Sequence, residues 1–327
     1  MHRIFFAICI GCLLLVSCND DRNSDDPLSQ PPYGDLTDSI SKAPSNADLY
    51  FRRAGLLFKN NQPAFAEHDL RKAWTLQPKE EYALKLVEIL KLKDPDSTIV
   101  FLNEALKKLP GNVFLQIGLA ISYKQKKQLD QALSICNDII RRYPNAVDAL
   151  LLKSEILNEQ NKNTEALRTL ENAYLFAPGD VELVHNLAFA YAESKNPKAL
   201  LLADSLIKAD TKNEHAEPYY FKGVYFSNTG NITEAIKQFD EAIRHNYNFL
   251  NAYINKGIIF FDRKKYEDAF KTFKLANTVA PDEADPYYWM AKPQEAIGNK
   301  PEAKANYQRA YGLDKTLTEA KEAADRL

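Results

Sequence analysis

The sequence is short of the residue types that carry chemistry by themselves. It has four cysteines and five histidines in 327 residues. None of His2, His68, His185, His215 and His245 stands four residues from another or beside a cysteine, so the spacing zinc needs is missing. Charge of one sign is missing too. The 42 basic and 44 acidic residues give a formal net charge of −2, which excludes a basic field for nucleic acid. The longest apolar run, Ile4 to Val16, is thirteen residues, where a bilayer-spanning helix needs roughly 20. No glycine-rich phosphate loop, nucleophile elbow or HExxH occurs, and no motif assembles the Ser, His and Asp residues that are present. No catalytic residue, metal or cofactor is therefore expected.

Three of the cysteines, Cys9, Cys12 and Cys18, crowd the N-terminus. There, His2 and Arg3 precede the apolar run, an arrangement that suits a secretory signal over residues 1–17. The tetrad Leu15-Val16-Ser17-Cys18 resembles the lipobox of bacterial lipoproteins. That resemblance implies cleavage before Cys18, with acylation of its sulfur and of the new amine. Each buried methylene contributes about 0.8 kcal/mol, and two or more chains turn marginal membrane attachment into stable attachment. The alternative is an uncleaved membrane anchor. Cys136 is then the one thiol left, in LSICNDII, where the apolar helical pattern and the lack of a neighbouring cation make it a small core hydrophobe.

Residues 19–46 are rich in Asp, Ser, Asn and Pro, and the span 18–46 reads as a lipidated cysteine on a flexible tether. Asn19, Asp20 and Asp21 resemble the acidic signal that marks surface export of lipoproteins in one Gram-negative phylum. Asn19 also fails to match the usual inner-membrane retention signal. The expected location is the bacterial cell envelope, at the outer membrane, on its periplasmic face or the cell surface. Asp38-Ser39-Ile40 resembles an O-glycosylation site of the same phylum.

From residue 47 the sequence repeats itself. Ala132 and Ala166 lie 34 apart, as do Ala235, Ala269 and Ala303; Pro110, Pro144 and Pro178 keep the same step. Residues 250–283 carry Tyr253, Lys256-Gly257, Phe260, Ala269, Phe273, Ala276 and Pro281, and residues 216–249 carry Tyr219, Gly223, Phe226, Ala235, Phe239 and Ala242. This pattern resembles the tetratricopeptide repeat. Copies fall near 47–80, 79–112, 113–146, 147–180, 181–215, 216–249, 250–283 and 284–317, with residues 318–327 as a polar capping helix. In the copy at 181–215, Ala199 arrives one residue early.

Small residues at Gly223 with Ala235, and Gly257 with Ala269, let paired helices approach; larger ones would overpack at about 1–3 kcal/mol. Phe239 and Phe273 fill the space left, contributing about 1.5–3 kcal/mol each. Proline ends the second helix of a pair. The resemblance implies an all-α, right-handed superhelical solenoid of about eight helix-turn-helix repeats.

In the family, the first helix of each repeat lines a concave groove that binds a protein or peptide. Carrying its positions over gives Phe114, Ile117, Ile121, Leu151, Glu155, Asn158, His185, Asn186, Phe189, Tyr220, Val224, Asn228, Ile254, Asn255, Ile258, Tyr288, Trp289 and Lys292. Asn186 and Asn255 resemble the asparagines by which some members hold a partner's backbone. Several of the apolar residues equally suit packing between repeats. The family's two-carboxylate clamp needs Lys and Asn where Phe51 and Gly55 stand, so that mode is not expected. Pro293 is expected to interrupt the first helix of the last copy. The lysine-rich stretches ending in Lys127 and Lys265 read as solvated helix termini.

The function expected is that of a membrane-anchored adaptor holding a partner in its groove. Alternatives are an assembly lipoprotein for outer-membrane barrels or pili, and a surface lipoprotein serving glycan or nutrient uptake.

Overall fold

The computed structural model describes residues 27–212 and 214–327; the expected signal peptide and Cys18 lie outside the described residues. The described residues form two compact units, one ending at Gln128 and the other running from Leu129 to Leu327. Among the described residues all regular structure is helical, eighteen α-helices and one 3-10 turn. The fold is the expected all-α stack of helix pairs. No helix among the described residues is long and apolar enough to cross a membrane.

The first unit holds α1 (Gly34–Lys42), α2 (Ala47–Lys59), α3 (Pro63–Leu76), α4 (Glu80–Leu90), α5 (Pro95–Lys108) and α6 (Val113–Gln125). Helix α1 corrects the tether: part of the stretch expected to be flexible folds back on α2. Tyr33, Leu36, Thr37 and Ile40 fall on one face at helical spacing. Tyr33 and Ile40 are buried, and Ile40 packs with Ala47 and Tyr50. Ser39, expected in an O-glycosylation site, lies in this helix, its hydroxyl donating to the Asp35 carbonyl at 2.8 Å.

Beneath α1 is a buried ion pair. Arg53 donates from Nε and Nη2 to both oxygens of Asp69 at 2.7 and 2.8 Å, and from Nη1 to the Thr37 hydroxyl at 2.9 Å. The Thr37 hydroxyl in turn donates to the Leu28 carbonyl at 2.6 Å. One network thus ties the N-terminal segment to α2 and α3. Removing one partner of such a pair leaves a buried charge uncompensated.

The second unit holds α7 (Leu129–Arg142), α8 (Val147–Glu159), α9 (Asn163–Phe176), α10 (Val181–Glu193), α11 (Lys198–Ala209), α12 (Glu217–Asn228), α13 (Ile232–His245), α14 (Leu250–Asp262), α15 (Tyr266–Val279), α16 (Ala284–Ala296), α17 (Lys300–Leu313) and α18 (Thr318–Arg326). Glycine recurs where helix backbones close on an aromatic ring. A Cβ on Gly223 would stand 2.5 Å from Phe239 Cε1, and one on Gly257 closer still to Phe273 Cε1. Both phenylalanines are fully buried. Cys136 is buried as expected, and burial pushes its thiol pKa up to about 12.

The turns inside the pairs, that between α4 and α5 excepted, share one device. Asn161, Lys195, Gly230, Lys264 and Gly298 all have positive φ, at steps of 34 or 35 residues, and Asn61 and Lys127 repeat this in the first unit. A left-handed residue here ends the first helix of the pair. Lys127 and Lys264 therefore do more than complement a helix dipole; each adopts a conformation that L-residues other than glycine resist by about 1–2 kcal/mol. Pro293 departs from expectation as well. It lies inside an unbroken α16, and its ring is buried.

Candidate functional site

The residues to test are those on the first helix of each pair, which in the second unit are α8, α10, α12, α14 and α16. Their sequence positions repeat, but their burial does not. Leu151 is 9% exposed, Tyr220 9% and Val224 6%. These three were expected to line a groove and instead spend their surface on the core cluster that joins α8, α10 and α12. Phe189, 38% exposed, is open to solvent, and His185, Asn186, Ile254, Asn255, Ile258, Tyr288 and Trp289 are half-buried.

Aromatic rings dominate this face between α10 and α12. Phe189 stacks on Tyr220 with ring centroids 6.1 Å apart and planes within 17°, and Tyr220 meets Phe249 edge-on at 5.2 Å. Asn255 donates to the Tyr220 hydroxyl at 2.9 Å and to the Asn251 carbonyl at 3.1 Å. Its amide protons are therefore committed inside the molecule and do not wait for a partner's backbone. Asn228 is used similarly, donating to the Ala192 carbonyl at 3.2 Å. Burial, with the Glu193 charge, holds the Tyr220 phenol above its ordinary pKa, so it stays a neutral hydroxyl. His185 meets Phe221 edge-on at 5.7 Å, and its burial favours the neutral imidazole.

Toward the C-terminus, Ile254 and Ile258 pack in the cluster formed by Phe273, Met290 and Trp289. Trp289 stacks on Phe273 at 5.7 Å. Lys292 lies 5.1 Å from the Tyr288 ring and 5.2 Å from the Trp289 ring, a cation over two aromatic faces. Beside them opens a cleft of about 550 Å³. Phe261, Tyr288, Lys292, Glu295 and Ala296 line it from first helices, and Glu319, Glu322, Ala323 and Arg326 line it from α18. Sequence reasoning named Tyr288 and Lys292 but missed α18, which it read only as a polar cap.

In the first unit, Phe114 is 56% exposed, while Ile117 and Ile121 are half-buried. Phe51 packs on Tyr82 with ring centroids 4.8 Å apart, and Lys85 caps the Phe58 ring at 4.6 Å. Between Phe51 and Phe58, a Cβ on Gly55 would meet nothing within 4 Å. Among the described residues, no group of three or more His, Cys, Asp or Glu could hold a metal ion.

Residues 90–156 and 220–287 match family models described as tetratricopeptide repeat. The chain is 23% identical over 256 residues to a DnaJ homolog subfamily C member 7 homolog of Dictyostelium discoideum, an alignment covering 72% of this chain and 47% of that protein. The chain thus spans about half the length of this relative. Among solved structures, a tetratricopeptide repeat protein from Parabacteroides merdae superimposes with a TM-score of 0.59 at 15% identity, covering 85% of this chain and 97% of its own. PilW, a widely conserved type IV pilus biogenesis factor, gives 0.52 at 18% identity, covering 64% and 96%. At these identities the likeness is one of fold.

Proposed function

We propose that this chain, which carries tetratricopeptide repeats, is a protein-interaction scaffold whose first-helix face holds a protein or peptide partner. The observation that carries the reading is the contrast in burial along that face. In the second unit core demands account for Leu151, Tyr220 and Val224, yet Phe189 stays exposed and Tyr288 borders an open cleft; in the first unit, taken by itself, Phe114 is exposed. Solvent-exposed aromatics, and an aromatic that borders a formed cleft, are the anchors on which binding energy concentrates. The reading is one of holding rather than of chemistry, since tetratricopeptide arrays generally act as scaffolds.

The scaffold is further proposed to be a lipoprotein of the bacterial envelope, anchored at the outer membrane through Cys18. The lipobox-like Leu15-Val16-Ser17-Cys18 supports this. A second reading, a lipoprotein that assists pilus assembly, is favoured by the fold likeness to PilW. Affinity capture from native membranes tests the scaffold: Phe189→Ala with Tyr288→Ala should lose a discrete protein that the parent chain retains, and equal recovery would remove the proposal. For the anchor, Cys18→Ser should move the chain from the detergent to the aqueous phase. Pilus assembly predicts that deletion depletes one pilus component, and unchanged envelope composition would exclude it.

A further inference from the structure

Resting on the reading of the first-helix face as the binding surface, we infer that the cleft at its C-terminal end receives a cationic side chain, arginine or lysine, of the bound polypeptide. The charges around the cleft divide into committed and uncommitted. Glu295 accepts Arg326 Nη2 at 2.6 Å and the Tyr307 hydroxyl at 2.9 Å, so its carboxylate is engaged on both oxygens. Lys292 is held against the faces of Tyr288 and Trp289. Glu319 and Glu322 differ. They stand three residues apart on α18, both exposed, both lining the cleft, and within the described residues neither side chain has an ion pair or hydrogen bond.

The rings of Phe261 and Tyr288 line the same cleft. Carboxylates and aromatic rings lining one cleft are the two features that recognise a guanidinium or an ammonium in a partly desolvated site. Lys292 adds direction, because it repels a guest cation toward the α18 side. An acidic guest would instead have to meet two carboxylates, against the single charge of Lys292, since Arg326 is paired with Glu295. The glutamates are also free to be changed. Helix α18 docks through Ala320, Ala323 and Ala324, and Glu319 and Glu322 take no part in that packing.

The test uses the full chain and a defined probe, the tripeptide Ac-Gly-Arg-Gly-NH2. Its controls are the citrulline tripeptide, isosteric but neutral, and the glutamate tripeptide. Nuclear magnetic resonance follows the Trp289 indole and Ala323 amide signals at low salt. The arginine probe should shift both saturably and the controls should not. E319Q and E322Q should each weaken binding about threefold, and the double variant about tenfold, as partly exposed ion pairs do; 0.5 M salt should reduce it further. Equal shifts with citrulline, tighter binding of the glutamate probe, no shift up to 20 mM, or a double variant that binds as the parent does would each overturn the assignment. The two readings fail separately. A chain that captures no cellular partner yet still binds the arginine probe loses the scaffold and keeps the cleft. A captured partner, together with a probe indifferent to E319Q/E322Q, leaves the scaffold and removes the cleft.

Discussion

Replacing Gly257 by alanine separates the two roles that glycine can have in a helix. Alanine favours a helix interior by about 1 kcal/mol relative to glycine. At Gly257, however, the new methyl meets Phe273, with Cδ1 and Cζ each at 2.7 Å, and that ring is fully buried. Overpacking of this kind costs about 1–3 kcal/mol, so the net change is a loss of up to about 2 kcal/mol. Gly312 in the same unit is the control, because its Cβ would meet nothing within 4 Å. It lies in the last turn of α17, and Gly312→Ala should stabilise by up to about 1 kcal/mol. Urea unfolding followed by circular dichroism and by Trp289 fluorescence reads the difference, which should be about 1–3 kcal/mol between the two variants. Phe273→Leu added to Gly257→Ala should recover part of the loss through coupling of about 0.5–3 kcal/mol. The reasoning is refuted if Gly257→Ala stabilises as much as Gly312→Ala, or if Phe273→Leu leaves its cost unchanged.

Three further outcomes follow from the fold. Asp69→Ala should destabilise the first unit by about 3–5 kcal/mol, because it leaves the Arg53 guanidinium buried and unpaired; thermal unfolding watched through Trp74 fluorescence measures this. Cys136, with its thiol pKa pushed up to about 12 by burial, holds almost no thiolate at pH 8, so its peptide should stay unalkylated by iodoacetamide in native buffer and react fully in 8 M urea, as read by mass spectrometry. Lys264→Gly should raise stability by about 1 kcal/mol, since glycine takes up the positive φ without the Cβ penalty, and the urea midpoint reports the gain.

The helix pairs are legible in the sequence because the close approaches demand small residues at a fixed step, and few substitutes fit between Gly257 and Phe273. Helix α1 is not legible by composition: averaging over residues 18–46 hides the four positions of Tyr33, Leu36, Thr37 and Ile40, and nothing local announces that Arg53 needs Thr37. The left-handed turns were equally hidden, since lysine at Lys127 and Lys264 looks like a dipole complement when φ is unknown. On the candidate face, position alone overstates what is free. Tyr220 and Val224 occupy binding positions of the family pattern, but α10 and α12 pack closely enough to bury them. Asn255 has the expected residue type, and the Tyr220 hydroxyl commits its amide. The acidic wall of the C-terminal cleft could not be found by transferring family positions, because Glu319 and Glu322 belong to a helix outside the repeat.

The proposed scaffold role depends on which surface of the helix pairs meets a partner. A photo-crosslinking phenylalanine analogue placed at Phe189 or Lys292, on first helices, and at Leu275, exposed on the second helix α15, decides this in intact cells. The prediction is one discrete adduct shared by the first two positions and missing at Leu275. An adduct at Leu275 with none at Phe189 or Lys292 would contradict it.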